Sequence, residues 1–158
     1  MSLELYIKLH TNYQPIHTLE MLPRLITKPE QSGKTFIMLQ QMIAQIERET
    51  PDGKKNINFV ICDNNLLLVL QTFKRVEDEP CLESHVELSC AKTATCREFE
   101  SVVESIIYKE TRHVLCCSNH IRLKDINSII SSIHLLGKGD DYQFNIWFDE
   151  ADKWLRGI

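Results

Sequence analysis

Short apolar runs alternate with longer segments of helical periodicity along most of this chain, with only brief links between them. Consecutive strands that are each separated by a helix cannot pair as hairpins. They are driven into a parallel sheet whose two faces the helices cover, so the expected fold is α/β in three layers, α/β/α, with a mainly parallel sheet.

Read in order, residues 3–9 (Leu-Glu-Leu-Tyr-Ile-Lys-Leu) alternate apolar and polar, which predicts a short strand with one wet face. Asn12, Pro15 and Pro23 leave room for only a short helix over 16–22, so residues 1–24 form a lead-in to the main body. Residues 25–27 are a brief first core strand and 28–32 a turn, after which Phe36, Ile37, Leu39, Met42, Ile43 and Ile46 recur at helical spacing up to Arg48. Thr50-Pro51-Asp52-Gly53 ends that helix. A strand over 57–62 follows, then a cap at Asp63-Asn64-Asn65 and a helix over 66–76. The acidic residues of 77–83 predict a solvated loop. Beyond it come strands over 85–90 and 113–117, helices over 94–107 and 123–136, and a flexible charged connector over 137–141.

The last strand carries the chemistry. Phe144-Asn145-Ile146-Trp147-Phe148 runs into Asp149-Glu150-Ala151-Asp152, an apolar strand tipped with acid. In a parallel sheet, such a tip delivers carboxylates to the C-terminal edge, where ligands bind. Its natural counterpart is a phosphate-binding turn between a strand and a helix, and Ser32-Gly33-Lys34-Thr35 stands in that context. Gly33 lets the backbone approach phosphate, Lys34 reaches the outer phosphates, and the Thr35 hydroxyl suits Mg²⁺. Asp149 would hold the same ion through water, and Glu150 would act as the base. The blander readings are an ordinary turn that starts an amphipathic helix and a solvated acidic turn that caps a helix over 151–155.

At 158 residues and 43% apolar content, residues 1–158 suit one domain whose core needs no disulfide or metal. The formal charge of -4 excludes a global basic surface, so contact with nucleic acid would need a local patch. Six cysteines without a secretory pattern point to an intracellular, reducing compartment, cytoplasm or nucleus. No run approaches the ~20 apolar residues of a membrane-spanning helix.

These motifs resemble those of the superfamily 2 helicases, specifically the first RecA-like, P-loop NTPase domain of DEAD-box and related ATPases. Pro29-Glu30-Gln31-Ser32-Gly33-Lys34-Thr35 is similar to the family's Pro-Thr-Gly-Ser-Gly-Lys-Thr loop, and Asp149-Glu150-Ala151-Asp152 to its acid motif. Residues 59–71 take the place of the strand and Pro-Thr-Arg-Glu-Leu-Ala-x-x-Gln turn, with matches at Leu68 and Gln71. Asn119-His120-Ile121-Arg122-Leu123-Lys124-Asp125 resembles Thr-Pro-Gly-Arg-Leu-x-Asp. The resemblance implies ATP and Mg²⁺ as cofactors, with Gln31, Ser32, Gly33, Lys34 and Thr35 around the phosphates. It also implies contacts to single-stranded or duplex nucleic acid through Ser118, Asn119, Arg122 and Gln71. A second RecA-like domain would be the working partner, and the chain reads as cut just after the acid motif. That predicts weak or no hydrolysis by these residues alone, and an incomplete sheet open to self-association.

Gln31 stands where the loop has glycine and Leu66 where the turn has arginine, which motivates an alternative: a degenerate nucleotide-binding or scaffold module without ATPase activity. Neighbouring Cys116 and Cys117 on one strand should point to opposite faces and serve packing. His85, Cys90 and Cys96 lack the paired spacing of a zinc site. Trp147 and Trp154 read as core and helix-docking residues.

Overall fold

Lys55–Cys62 forms strand β1, and its burial deepens along its length until Ile57 to Cys62 are all enclosed. A strand buried on both faces needs neighbours on both edges, and β1 has them. In the computed structural model, which describes residues 33–47 and 53–149, the remaining elements are α1 (Lys34–Glu47), α2 (Leu66–Glu77), β2 (His85–Glu87), α3 (Phe99–Tyr108), β3 (His113–Cys117), α4 (His120–Leu135) and β4 (Tyr142–Phe148). The described strands make one all-parallel sheet in the order β2-β3-β1-β4. The expected strands over 3–9 and 25–27, the helix over 16–22, the turn over 28–32 and everything from Glu150 onward lie outside the described residues.

Side-chain alternation along β1 sends its residues to two cores. Ile57, Phe59 and Ile61 pack with Val114 and Cys116 of β3 against α3 and α4, chiefly Val102, Ile106, Ile126, Ile129 and Ile133. Val60, Cys62 and Leu115 face the other way, onto Met38, Leu39 and Met42 of α1 and Val69 and Val76 of α2. The described chain is therefore α/β with helices on both faces of a four-stranded parallel sheet. Cys116 belongs to the first core and Cys117 packs against the second, as the alternation requires. All six cysteines are free thiols. No helix among the described residues is long and apolar enough to cross a membrane.

Polar residues cross the α1 and α2 face as a chain of side chains. Trp147 Nε1 donates to Asn58 Oδ1 at 2.8 Å, and Asn145 Nδ2 donates to Oδ1 of both Asn58 and Asn56, at 3.2 and 3.1 Å. An indole N–H can only donate, so the Asn58 oxygen must face Trp147 and its amide nitrogen must face His113 Nδ1, 3.3 Å away. His113 is thereby the neutral tautomer with its proton on Nε2. Burial, followed by the charges of His85 and Arg112, pushes its pKa down from 6.5 to about 4.

Several boundaries differ from expectation. The strand over 85–90 is only His85–Glu87, because the chain then bonds to its own downstream residues: Ser89 N–H to Cys96 O at 3.1 Å and Cys96 N–H to Glu87 O at 2.9 Å. That return uses residues 94–98, so α3 starts at Phe99 rather than near Ala94. The acidic loop is not wholly solvated, since its 3-10 turn Pro80–Leu82 buries Leu82 completely. α4 starts at His120, earlier than the apolar periodicity implied, because Asn119 accepts from Arg122 N–H at 3.0 Å and caps it. The connector after α4 is a defined turn: Lys138 N–H reaches Ile133 O at 3.1 Å, Gly137 N–H reaches His134 O at 3.0 Å, and Gly137 has φ +73.

Candidate functional site

β1, β3 and β4 run the same way, so the residues that follow them meet at one edge of the sheet. Asp149 directly follows Phe148, the last ladder residue there, and its N–H donates to Ile61 O at 2.9 Å. Its side chain follows Asn145 and Trp147 onto the face covered by α1 and α2.

Thr35, in the first turn of α1, meets that carboxylate. Its Oγ1 lies 3.2 Å from Asp149 Oδ1 and 3.2 Å from Oδ2, so one hydroxyl proton is shared between both oxygens across 114 positions of sequence. Gly33, just before the helix, has φ +79, a backbone state that a side chain makes costly. Its carbonyl accepts from Ile37 N–H at 3.0 Å, the first closed turn of α1. Lys34 is therefore the first helical residue, at the helix end where unpaired N–H groups gather positive potential.

A second hydroxyl reaches the same carboxylate. Thr72 of α2 donates from Oγ1 to Asp149 Oδ2 over 3.4 Å, and Thr72 itself is buried. Beside them the Cys62 thiol is pushed up to about 12, first by burial and then by the Asp149 charge, with a hydrogen bond from Thr72 acting the other way. Cys62 is thus a neutral packing residue rather than a nucleophile.

The residues expected to touch a nucleic-acid strand share this edge. Ser118 and Asn119 follow β3, and Asn119 Nδ2 donates to Asn64 Oδ1 at 3.3 Å, joining the loops after β3 and β1. Arg122 does not extend into solvent. Its guanidinium is paired with Asp125 at 2.7 Å, and the two side chains are only 13% and 19% exposed. Burial raises the Asp125 pKa against the opposing pull of Arg122. Gln71 is exposed on the outer side of α2, next to Thr72, which points inward.

Thr35 and Asp149 are thus brought together, Ser118, Asn119 and Arg122 lie along the same edge, and Gln31, Ser32 and Glu150 fall outside the described residues. No three His, Cys, Asp or Glu side chains among the described residues converge as a metal cluster. Sequence reasoning missed Thr72, although a signal existed: Val69, Thr72 and Val76 are the buried residues of α2, so one polar residue interrupts an apolar stripe. Comparison with protein-family models, curated proteins and solved structures finds no match to this chain.

Proposed function

We propose that this chain is the ATP-binding half of a nucleic-acid-dependent ATPase of helicase type. The observation that carries the reading is the contact of Thr35 Oγ1 with both carboxylate oxygens of Asp149 at the C-terminal edge of a parallel sheet. Nothing in core packing requires a threonine at a helix start to find an acid at a strand end. A hard divalent cation suits such a pair, because it takes hydroxyl and carboxylate oxygens.

The residues fit the group. Thr35 and Asp149 supply oxygen ligands, while Gly33, Lys34 and the first N–H groups of α1 suit the phosphates of a nucleotide. Bound Mg²⁺ would neutralise charge on the phosphate oxygens. Lys34 would hold the outer phosphates by charge, and Asp149 would orient the metal's water shell. Glu150, next in the chain, is the proposed base that takes a proton from water. Asn119 and Arg122 are the proposed strand contacts, with the N-terminus of α4 offering N–H groups to phosphodiester oxygens. The Arg122–Asp125 pair would orient the guanidinium rather than leave it free.

Calorimetric titration with Mg-ATP tests this. Wild type and Glu150→Gln should bind, and Lys34→Ala should lose roughly tenfold or more in affinity, about 1.4 kcal/mol. Absence of heat with wild type would sink the nucleotide reading and leave the scaffold alternative. Binding without any hydrolysis, even with single-stranded nucleic acid and a second RecA-like domain supplied, would favour the degenerate form.

A further inference from the structure

We infer that Thr72 is a positioning residue for Asp149: it fixes which carboxylate oxygen is presented to a metal and ties that choice to the placement of α2. The inference rests on the nucleotide reading above and concerns the same site.

Thr72 is 3% exposed and lies on the stripe that α2 buries, between Val69 and Val76. Valine has the same shape and no polar atom, so packing alone favours valine there. A hydroxyl kept in such a place needs an acceptor. Asp149 Oδ2 lies 3.4 Å from it, and the Cys62 thiol is the other group that the hydroxyl reaches. Thr35 reaches the same carboxylate from α1, over 3.2 Å to each oxygen. Two helices therefore hold one acid between them, and their contributions differ. Thr35 touches both oxygens equally and selects neither. Thr72 adds a second contact to Oδ2 and leaves Oδ1 with the Thr35 contact alone, so Oδ1 is the less engaged oxygen to turn toward an ion or its water shell.

The arrangement also links the site to the outside of α2. Leu67, Leu70 and Gln71 on that helix are exposed, and Gln71 directly precedes Thr72. Whatever shifts α2 must move the Thr72 hydroxyl relative to Oδ2. At 3.4 Å the contact is already long for a hydroxyl to carboxylate bond, so a displacement of a few tenths of an ångström breaks it.

The test is ATP affinity by calorimetry, with Mg²⁺ and with EDTA, for wild type, Thr72→Val and Thr72→Ser. Thr72→Val should weaken binding roughly three- to tenfold with Mg²⁺ and leave metal-free binding unchanged. Thr72→Ser, which keeps the hydroxyl, should restore the wild-type ratio. The ratio is taken within one variant, so a reduced folded fraction cancels. An unchanged ratio in Thr72→Val, or a Ser variant as impaired as the Val variant, overturns the inference and leaves the nucleotide reading intact. A wild type that binds ATP under neither condition overturns both.

Discussion

His113 shows how one side chain sets a pH limit on this structure. Asn58 can offer it only an N–H, because the Asn58 oxygen is already held by Trp147 and Asn145. A proton on Nδ1 would break that bond inside a buried strand. With its pKa pushed down to about 4 from 6.5, the folded protein resists a proton that the unfolded chain accepts. The stabilisation is therefore complete above pH 6.5 and is lost as pH falls toward 4, by up to about 3 kcal/mol. Urea unfolding of wild type and His113→Gln across this range should show a steep fall for the first and a flatter profile for the second. Equal slopes would remove His113 as the cause. Thr35 and Thr72 belong to the same scale, as single hydroxyls that meet one carboxylate.

At the scale of elements, the caps at the C-terminal edge join loops as well as starting helices. Asn65 accepts from Leu67 N–H at 2.9 Å and starts α2, while Asn119 starts α4 and also donates to Asn64. Asn119→Ala should cost about 1 kcal/mol for the lost cap. It should also loosen the loop after β1, which amide exchange at 63–65 would reveal. Unaltered exchange there would reduce Asn119 to a simple cap. At the far end of α4, Gly137 closes the helix with φ +73 and nothing within 4 Å of an added Cβ, so backbone conformation alone opposes a side chain. Gly137→Ala should cost about 1–2 kcal/mol in thermal unfolding. No loss of Tm would mean that the turn relaxes.

For the molecule as a whole, β1 is the strand on which stability depends. Phe59 is wholly buried at its centre and stacks near Phe144 of β4, with ring centroids 6.3 Å apart. Phe59→Ala should cost about 3–5 kcal/mol, a large share of the ~5–15 kcal/mol that holds a domain of this kind together. Chemical denaturation measures it directly. A loss under 1 kcal/mol would mean that the α3 and α4 core can close over the cavity. Because β1 also carries Asn58 and Cys62 toward the opposite face, the same strand joins the apolar core to the candidate site.

Much of this was legible in the residues. Apolar runs separated by helical periodicity leave a parallel sheet as the economical solution, and β1, β3, β4 and α2 fall close to where hydrophobic spacing puts them, because each is a stretch of consistent local preference. Local preference was weak at 85–98, where the chain pairs with itself between Glu87 and Cys96, and strand and helix both came out shorter than their apolar content suggests. Asn119 was visible as a polar residue, yet its role as the cap emerges only from the bond to Arg122 N–H. The chemistry of the site divides in the same way. Ser32-Gly33-Lys34-Thr35 and Asp149-Glu150 stand out as residue types, since the proposed phosphate and cation site would call for glycine, lysine, hydroxyl and carboxylate. That Thr35 and Asp149 touch, that Thr72 joins them, and that Arg122 is already paired to Asp125 were decided by tertiary structure alone. Distance along a chain carries no information about such contacts. They are set by strand order and by the angle at which α1, α2 and α4 leave the sheet.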